Sequence, residues 1–139
     1  MADTKPRLTH IALRVRDLDR TVAFYERFAG LGIAHERIDD GKRVVWLAER
    51  PTDPSFVFVL IPMSHTADER PSVHHFGFAL ASRDAVDGLA RAADADGLLR
   101  VGPKDGGAVV GYFCVIEDPD GTWVEFSFGQ PIDPRALPS

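Results

Sequence analysis

The residue that first suggests chemistry is Glu125, a carboxylate in the middle of a predicted strand. The segment Asp-Pro-Asp-Gly at 118–121 precedes this strand and is typical of a tight turn. Side chains alternate along a strand, so Glu125 faces away from Val124 and Phe126, which suit burial under a helix. A charge in that position is costly unless it is solvated, paired or bound to a metal. Glu125 is therefore a candidate metal ligand.

Two histidines are the other candidate ligands, because they occupy matching places in two predicted strands. His10 lies in a predicted strand at 8–15 and His75 in one at 73–80. A small residue follows each of them on the same face, which leaves room beside the imidazole. Two imidazoles and one carboxylate suit a divalent metal such as Zn, Mn, Fe, Co or Ni. Three protein ligands leave positions for water or substrate, as catalytic metal sites do.

The elements that must position these side chains occur twice along the chain. The two histidines are separated by 65 residues, and the same offset relates Gly32 to Gly97 and Asp53 to Asp118. These pairs fall at a strand, at a helix end and at the turn before a last strand. The sequence therefore predicts two copies of a β-α-β-β-β unit. If their sheets surround one cavity, His10, His75 and Glu125 can point into it together.

The repeat defines an α+β fold of paired βαβββ modules within a single domain of 139 residues. The predicted parts are module one at about 8–62, a linker at 63–72, module two at about 73–128 and a tail at 129–139. Asp17 and Ser82 are the predicted N-caps of the two helices, which end before Gly30 and Gly97. In module two, the sequence predicts a short strand at 98–101, a turn at 104–107 and a strand at 109–116.

Composition and charge restrict the possible partners and location. A formal net charge of −5, without a basic run, argues against a nucleic-acid partner. The longest apolar run, at 56–63, is too short to cross a bilayer, and the N-terminal residues contain no apolar signal segment. The single cysteine, Cys114, excludes a disulfide within the chain and is predicted to be a buried apolar filler. The prediction is a cytoplasmic protein with neither nucleic-acid nor membrane partners.

Four motifs together resemble the vicinal oxygen chelate superfamily. They are Thr-His-Ile-Ala-Leu at 9–13, Phe-Tyr at 24–25 followed by Leu-Gly at 31–32, His-His-Phe-Gly-Phe at 74–78, and Asp-Pro-Asp-Gly with Val-Glu-Phe at 118–126. The superfamily includes glyoxalase I, extradiol dioxygenases, methylmalonyl-CoA epimerase, fosfomycin-resistance thiol transferases and bleomycin-resistance binding proteins. The resemblance covers residues 8 to about 128. It implies half-barrel modules that form a glyoxalase-like cavity, a homodimer, and metal ligands at His10, His75 and Glu125.

The chain departs from the members of this superfamily in ways that bear on the reaction. Many members have a fourth ligand on the last strand of the first module, where the 65-residue offset places Leu60 opposite Glu125. Glyoxalase I and the epimerase use a carboxylate or amide there, so an apolar residue disfavours their proton transfer. Extradiol dioxygenases carry a second histidine between the last two ligands, and residues 76–124 contain none. The fosfomycin transferases often have a hydroxyl residue where Ala12 stands.

Two functions therefore remain as expectations. The first is a metal-dependent lyase, dioxygenase or transferase whose small oxygenated substrate chelates the metal, with Glu125 as ligand and catalytic base. The alternative is a metal-free binding protein for small molecules or antibiotics, favoured by the apolar strand at 56–61 and by several aromatic residues. The candidate substrate contacts are Arg14, Trp123, Tyr112 and Leu60. His74 is predicted to point away from His75, in a structural or surface role.

Overall fold

A computed structural model describes residues 7–64, 66, 69, 71 and 73–137 of the chain. The chain divides into two compact units, Met1–Ala67 and Asp68–Ser139. The predicted linker at 63–72 falls partly outside the described residues. Within the described part of the chain, no helix has the length and apolar character needed to cross a membrane.

The first unit is a four-stranded mixed sheet with one helix. Its elements are β1 (His10–Val15), α1 (Leu18–Ala29), β2 (Gly32–Asp39), β3 (Lys42–Ala48) and β4 (Val57–Pro62). The strands lie in the order β1-β4-β3-β2, with β1 parallel to β4 and the other neighbours antiparallel. The chain therefore crosses from one end of the sheet to the other through α1, as a parallel pair requires.

The second unit repeats this arrangement with one addition. Its elements are β5 (His75–Ala79), α2 (Arg83–Ala95), β6 (Leu99–Asp105), the short helix α3 (Gly107–Val110), β7 (Tyr112–Glu117) and β8 (Trp123–Phe128). The strand order is β5-β8-β7-β6, with β5 parallel to β8. The predicted α+β class and the two β-α-β-β-β units are confirmed.

The helix ends follow the predicted capping residues. Asp17 caps α1, because its carboxylate accepts a hydrogen bond from a backbone N–H three residues later at 3.1 Å. Ser82 caps α2 in the same way at 3.0 Å. Gly30 ends α1 at a φ of 68°, and Gly97 follows α2 at a φ of 71°. Both values lie in the left-handed region that glycine adopts without a steric penalty.

The segment between β6 and β7 differs from the prediction. Strand β6 continues to Asp105 because Lys104 pairs with Phe113 in an antiparallel register, so the predicted turn at 104–107 is wrong. The carboxylate of Asp105 accepts a hydrogen bond from the N–H of Gly107 at 2.9 Å, and α3 begins there. The apolar residues at 109 and 110, predicted to start a strand, belong to this helix instead.

A buried aspartate organises the turn that leads into β8. Asp118 is 5% exposed, and its Oδ1 accepts hydrogen bonds from the N–H groups of Asp120 and Thr122 at 2.8 and 2.9 Å. Gly121 completes the turn at a φ of 87°. A carboxylate that accepts several N–H bonds holds a loop in one conformation. The turn therefore fixes the start of β8 and, with it, the position of Glu125.

Candidate functional site

His75 and Glu125 lie on the same side of the second sheet. Strands β5 and β8 are parallel neighbours, with His75 in register with Trp123 and Gly77 in register with Glu125. Residues in register on neighbouring strands point to the same side of the sheet. The side that carries His75, Gly77, Trp123 and Glu125 is called the His75 face below. The opposite side, which α2 covers, is the helix face. The strand alternation predicted for Glu125 and His75 therefore agrees with the sheet register.

Gly77 provides the space that the Glu125 carboxylate occupies. A Cβ built on Gly77 would lie 3.3 Å from Glu125 Oε2 and 3.3 Å from the Glu125 carbonyl oxygen. Any larger side chain would therefore displace the carboxylate. The amide of Gln130 donates hydrogen bonds to Glu125 Oε2 at 3.4 Å and to the carbonyl oxygen of Val110 at 3.2 Å. Sequence analysis placed Gln130 in the tail and missed this contact, because no local pattern relates the tail to β8.

The residues that alternate with Glu125 hold β8 against the helix. Val124 and Phe126 are both 0% exposed, and the ring of Phe126 stacks on that of Phe78 at 5.5 Å between centroids. Phe128, which lies on the same side of β8, is 38% exposed at the end of the strand. The half-buried Glu125 is therefore carried by a strand whose other side is firmly packed.

The structure brings His74 against His75, contrary to the prediction. The two Nδ1 atoms are 2.7 Å apart, and the ring centroids are 5.0 Å apart. His74 precedes β5, so the alternation rule of a strand does not govern its direction. His74 is therefore a direct hydrogen-bonding neighbour of a candidate ligand.

In the first unit, His10 lies on the same side of β1 as Ala12 and Arg14, and this side is called the His10 face. The side chain is exposed, and its Nδ1 lies 2.9 Å from Thr9 Oγ1. Arg14 is exposed on this face, where the sequence places it as a candidate contact for an anionic group. Its role in substrate binding stays a prediction.

The register of the first sheet corrects the predicted mate of Glu125. Ala12, the counterpart of Gly77, is in register with Val59, whereas Leu60 is in register with Leu13 on the side of α1. Leu60 is 0% exposed, so it is buried under the helix and is withdrawn as a substrate contact. The chain from Gly77 to its partner Glu125 is one residue longer than the chain from Ala12 to its partner Val59, which the constant offset could not show. Val59 cannot ligate a metal either, so this strand still offers no fourth ligand.

The His10 face of β3 and β4 is apolar. A cluster of buried and half-buried side chains comprises Val44, Ala48, Val57 and Val59, with Ala34, Trp46 and Ile61 packed against it. The indole N–H of Trp46 is buried without a hydrogen-bond acceptor among the described residues. Its ring lies 4.9 Å from the ring of His35 between centroids. A buried donor without a partner is costly.

Tyr112 is not on the His75 face. Val115 is in register with Glu125, and Tyr112 lies three residues away on the helix face. Its hydroxyl donates a hydrogen bond to Asp87 of α2, and this bond raises the pKa of Tyr112 above its ordinary value. The Arg83 guanidinium lies 4.7 Å above the tyrosine ring. Tyr112 therefore anchors α2 and is withdrawn as a substrate contact.

Two further predicted residues have clear surroundings. Trp123 is in register with His75 and is 39% exposed, so it lies on the face where the sequence predicted a contact with substrate. That role stays a prediction. Cys114 is fully buried on the helix face, as predicted, and burial raises the pKa of its thiol to about 11. A thiol that is neutral at ordinary pH is a poor nucleophile and a poor metal ligand.

The second unit offers two donor groups of the kinds that bind a divalent metal. Within the described part of either unit, no three His, Cys, Asp or Glu side chains form a complete metal cluster. The second unit supplies one imidazole and one carboxylate on a shared face, with space kept open at Gly77. His10, the third ligand that the sequence predicts, belongs to the first unit, and its place in a metal site stays a prediction.

Replacing Gly77 with Ala is expected to weaken metal binding about 10-fold, because the new methyl group displaces the Glu125 carboxylate by a few tenths of an ångström. Gly77 does not have a positive φ, so the substitution introduces no backbone strain. Calorimetric titration with Mn(II) and Zn(II) measures the change.

Gly88→Ala is the matched control. A Cβ there would meet only Arg91 Nη2, at 3.8 Å, so the variant should keep metal affinity and gain about 0.5–1 kcal/mol of stability in α2. Unchanged metal affinity in Gly77→Ala would contradict the placement of the metal beside Glu125.

Comparisons of the sequence relate the chain to one superfamily. The family model described as Glyoxalase/Bleomycin resistance protein/Dioxygenase superfamily matches residues 7–126. An uncharacterized protein of Pseudomonas aeruginosa PAO1, PA2024, is 48% identical over 136 residues, which cover 96% of this chain and 97% of that protein. A probable chloroplastic lactoylglutathione lyase of Arabidopsis thaliana is 33% identical over 122 residues, which cover 84% of this chain and 34% of the plant protein.

Comparison of structures gives the same fold. The fosfomycin resistance protein FosX of Listeria monocytogenes was solved as a variant complexed with Mn(II) and 1S,2S-dihydroxypropylphosphonic acid. It superimposes with a TM-score of 0.68 at 20% identity, covering 92% of this chain and 95% of that chain. At this level of identity the likeness concerns the fold.

Proposed function

Because the chain belongs to the Glyoxalase/Bleomycin resistance protein/Dioxygenase superfamily, we propose that it is a metal-dependent enzyme acting on a small oxygenated substrate. The observation that carries this proposal is the shared face of His75 and Glu125, with the carboxylate seated over Gly77. His10, His75 and Glu125 would hold the metal. The bound metal would act as a Lewis acid that stabilises an oxyanion as charge develops on the substrate.

The protein's own residues perform the remaining tasks. Glu125 accepts a proton at its carboxylate, and the Gln130 amide orients the group by donating to Oε2. The exposed guanidinium of Arg14 attracts an anionic group of the substrate to the His10 face. Trp123 contacts the substrate beside His75. The substrate would present two neighbouring oxygens, since three protein ligands leave room for a bidentate group.

The first sheet carries no carboxylate at the place that corresponds to Glu125, and this bears on the proposed type of reaction. Val59 stands where the counterpart of Glu125 would be, so β4 offers no second carboxylate for a shuttle between two bases. This favours chemistry that needs one base and a Lewis acid over the two-base proton transfer of glyoxalase I. The variant of Listeria FosX that was solved with Mn(II) and 1S,2S-dihydroxypropylphosphonic acid has the same fold. Lyase, dioxygenase and transferase reactions stay open in this proposal, and the missing second carboxylate disfavours a proton transfer of the glyoxalase I type.

Metal analysis tests the proposal. Wild-type protein purified without chelator is expected to contain close to one divalent metal per site, and His75→Ala is expected to contain little. His75 is exposed, so the substitution should leave the fold intact, which far-ultraviolet circular dichroism checks. Equal and negligible metal in both proteins would overturn the metal-dependent function.

The apolar His10 face favours a second candidate, a metal-free binding protein for small molecules or antibiotics. Its support is the cluster around Val57 and Val59 and the unpartnered indole N–H of Trp46. Thermal shifts with a panel of divalent metals separate the two candidates, because a bound metal raises the melting temperature. Stabilisation that disappears when Glu125 is replaced supports the enzyme, and the absence of any metal effect supports the binding protein.

A homodimer belongs to the same proposal, because the resemblance to the superfamily implies one. The site then forms either within one chain or by exchange of units between chains. A monomer in sedimentation experiments at high micromolar concentration would exclude the exchanged arrangement.

A further inference from the structure

Both candidate histidine ligands are engaged at the same ring nitrogen by the side chain of the preceding residue. His10 Nδ1 lies 2.9 Å from Thr9 Oγ1, and His75 Nδ1 lies 2.7 Å from His74 Nδ1. The two contacts occur in different units and use different partner chemistry. In each case the contact occupies Nδ1, and Nε2 is the other ring nitrogen that could bind a metal.

A neutral imidazole carries one proton, so a partner at Nδ1 influences which nitrogen keeps its lone pair. If Nδ1–H donates to the neighbour, Nε2 is unprotonated and can bind a metal. Exposed imidazoles in water favour the opposite tautomer, with the proton on Nε2. Since His10 and His75 are exposed, solvent alone would leave the wrong nitrogen protonated for a ligand that binds through Nε2.

Both neighbours can accept such a hydrogen bond. The hydroxyl oxygen of Thr9 has lone pairs available to Nδ1–H of His10. His74 can accept at Nδ1 when its own proton is on Nε2, and the tilt of 67° between the two rings turns them edge to face. The same function is thus performed by a hydroxyl in one unit and an imidazole in the other.

We propose that Thr9 and His74 are positioning residues that hold His10 and His75 as the Nδ1–H tautomer, so that Nε2 is the nitrogen available to the metal. This inference rests on the proposed function, because it assigns the ring tautomer in which the two histidine ligands of that site are held. Partners of this kind fix both the tautomer and the ring orientation of a ligand before the metal arrives.

Ring nitrogen chemical shifts of the metal-free protein test the tautomers directly. Spectra of each protein are recorded over a series of mildly alkaline pH values, so that the shifts of the neutral rings are read where they no longer change with pH. The wild type is expected to show a protonated Nδ1 and an unprotonated Nε2 at His10 and at His75. Protonated Nε2 at these two residues in the wild type would overturn the proposal.

Paired variants show whether the neighbours are responsible. Thr9→Val keeps the shape of the side chain but removes the acceptor, and Thr9→Ser restores a hydroxyl. His74→Phe keeps a ring without an acceptor, and His74→Asn supplies an oxygen near the position of Nδ1. Thr9→Val should alter the tautomer of His10 alone, and His74→Phe that of His75 alone. Unaltered tautomers in both variants would overturn the proposal.

Metal affinity provides a second measurement. Titration with Zn(II) should show a loss of about 10-fold or more in Thr9→Val and in His74→Phe, with recovery in Thr9→Ser and His74→Asn. If Thr9→Ser and His74→Asn bind Zn(II) as weakly as Thr9→Val and His74→Phe, the neighbours do not act through a hydrogen bond to the ligand. If the wild type has the expected tautomers but binds no metal, the proposed function fails while the hydrogen-bond assignment is supported. The two failures are therefore distinguishable.

Discussion

Replacing Glu125 with Gln is expected to weaken metal binding by more than about 100-fold, because hydrogen-bonding partners of ligands alone contribute 10- to 100-fold. Glu125 is the anionic member of a proposed set whose other members are neutral imidazoles. A glutamine keeps the shape but removes the charge and the capacity to accept a proton. Catalytic turnover should fall with the metal, and activity should not return at saturating metal because the base is also lost.

The fold should tolerate this substitution. Glu125 is half-buried on the His75 face, so the free energy of unfolding should change by less than about 1 kcal/mol. Glu117→Gln is a matched control, because Glu117 is in register with Trp123 on the same face and pairs with Arg100 at 2.7 Å. The control should keep its metal affinity. Wild-type affinity in Glu125→Gln would remove Glu125 from the metal site.

Replacing the next residue, Phe126, with Ala is expected to cost about 3–5 kcal/mol of stability, since it deletes a fully buried aromatic side chain. The cost includes the stacking contact with Phe78 and the cavity left between β8 and α2. Urea denaturation followed by circular dichroism measures the loss. Because small domains are stable by only about 5–15 kcal/mol, the variant should be near the limit of folding.

Phe128→Ala provides the comparison for this second experiment. Phe128 is on the same face of β8 but is 38% exposed, so its replacement should cost much less. A loss of under about 1 kcal/mol in Phe126→Ala would contradict the packing of β8 described here. Glu125→Gln should therefore lower metal affinity with little change in stability, whereas Phe126→Ala, at the next position of the same strand, should lower stability.

Local patterns were sufficient to predict much of the fold. Capping by Asp17 and Ser82 depends on atoms within one turn of helix, and glycine ends a helix through its own φ. Alternation along β8 likewise depends only on the chain's own pleat, so the face of Glu125 could be assigned from sequence. The α+β class followed from the repetition of these local patterns.

Long-range features could not be predicted in this way. The choice between Leu60 and Val59 as the counterpart of Glu125 depends on how strands separated by a helix and two strands come into register. A one-residue difference in the length of chain between the two paired strands reverses the face, because the side-chain period of a strand is two. The contact of Gln130 with Glu125 and the bond from Tyr112 to Asp87 join segments distant in sequence, with no compositional signal.

The candidate site was partly predictable for the same reason. The sequence identifies His10, His75 and Glu125 by type and place, and the register puts two of them on one face. It did not identify His74, because a residue just before a strand is free of the strand's alternation. The direction of such a residue is decided by the hydrogen bond it makes.

The space over Gly77 also determines what is needed to transfer the carboxylate of the second unit to the equivalent place in the first unit. In the first unit, the place of Gly77 is taken by Ala12, which is in register with Val59 on the neighbouring strand. A carboxylate introduced at Val59 would meet the methyl group of Ala12, as a Cβ on Gly77 would meet the carboxylate of Glu125 at 3.3 Å. Building a second carboxylate into the first unit therefore requires two coordinated changes, Val59→Glu together with Ala12→Gly. The two halves are therefore kept chemically distinct by a pair of neighbouring positions rather than by one residue.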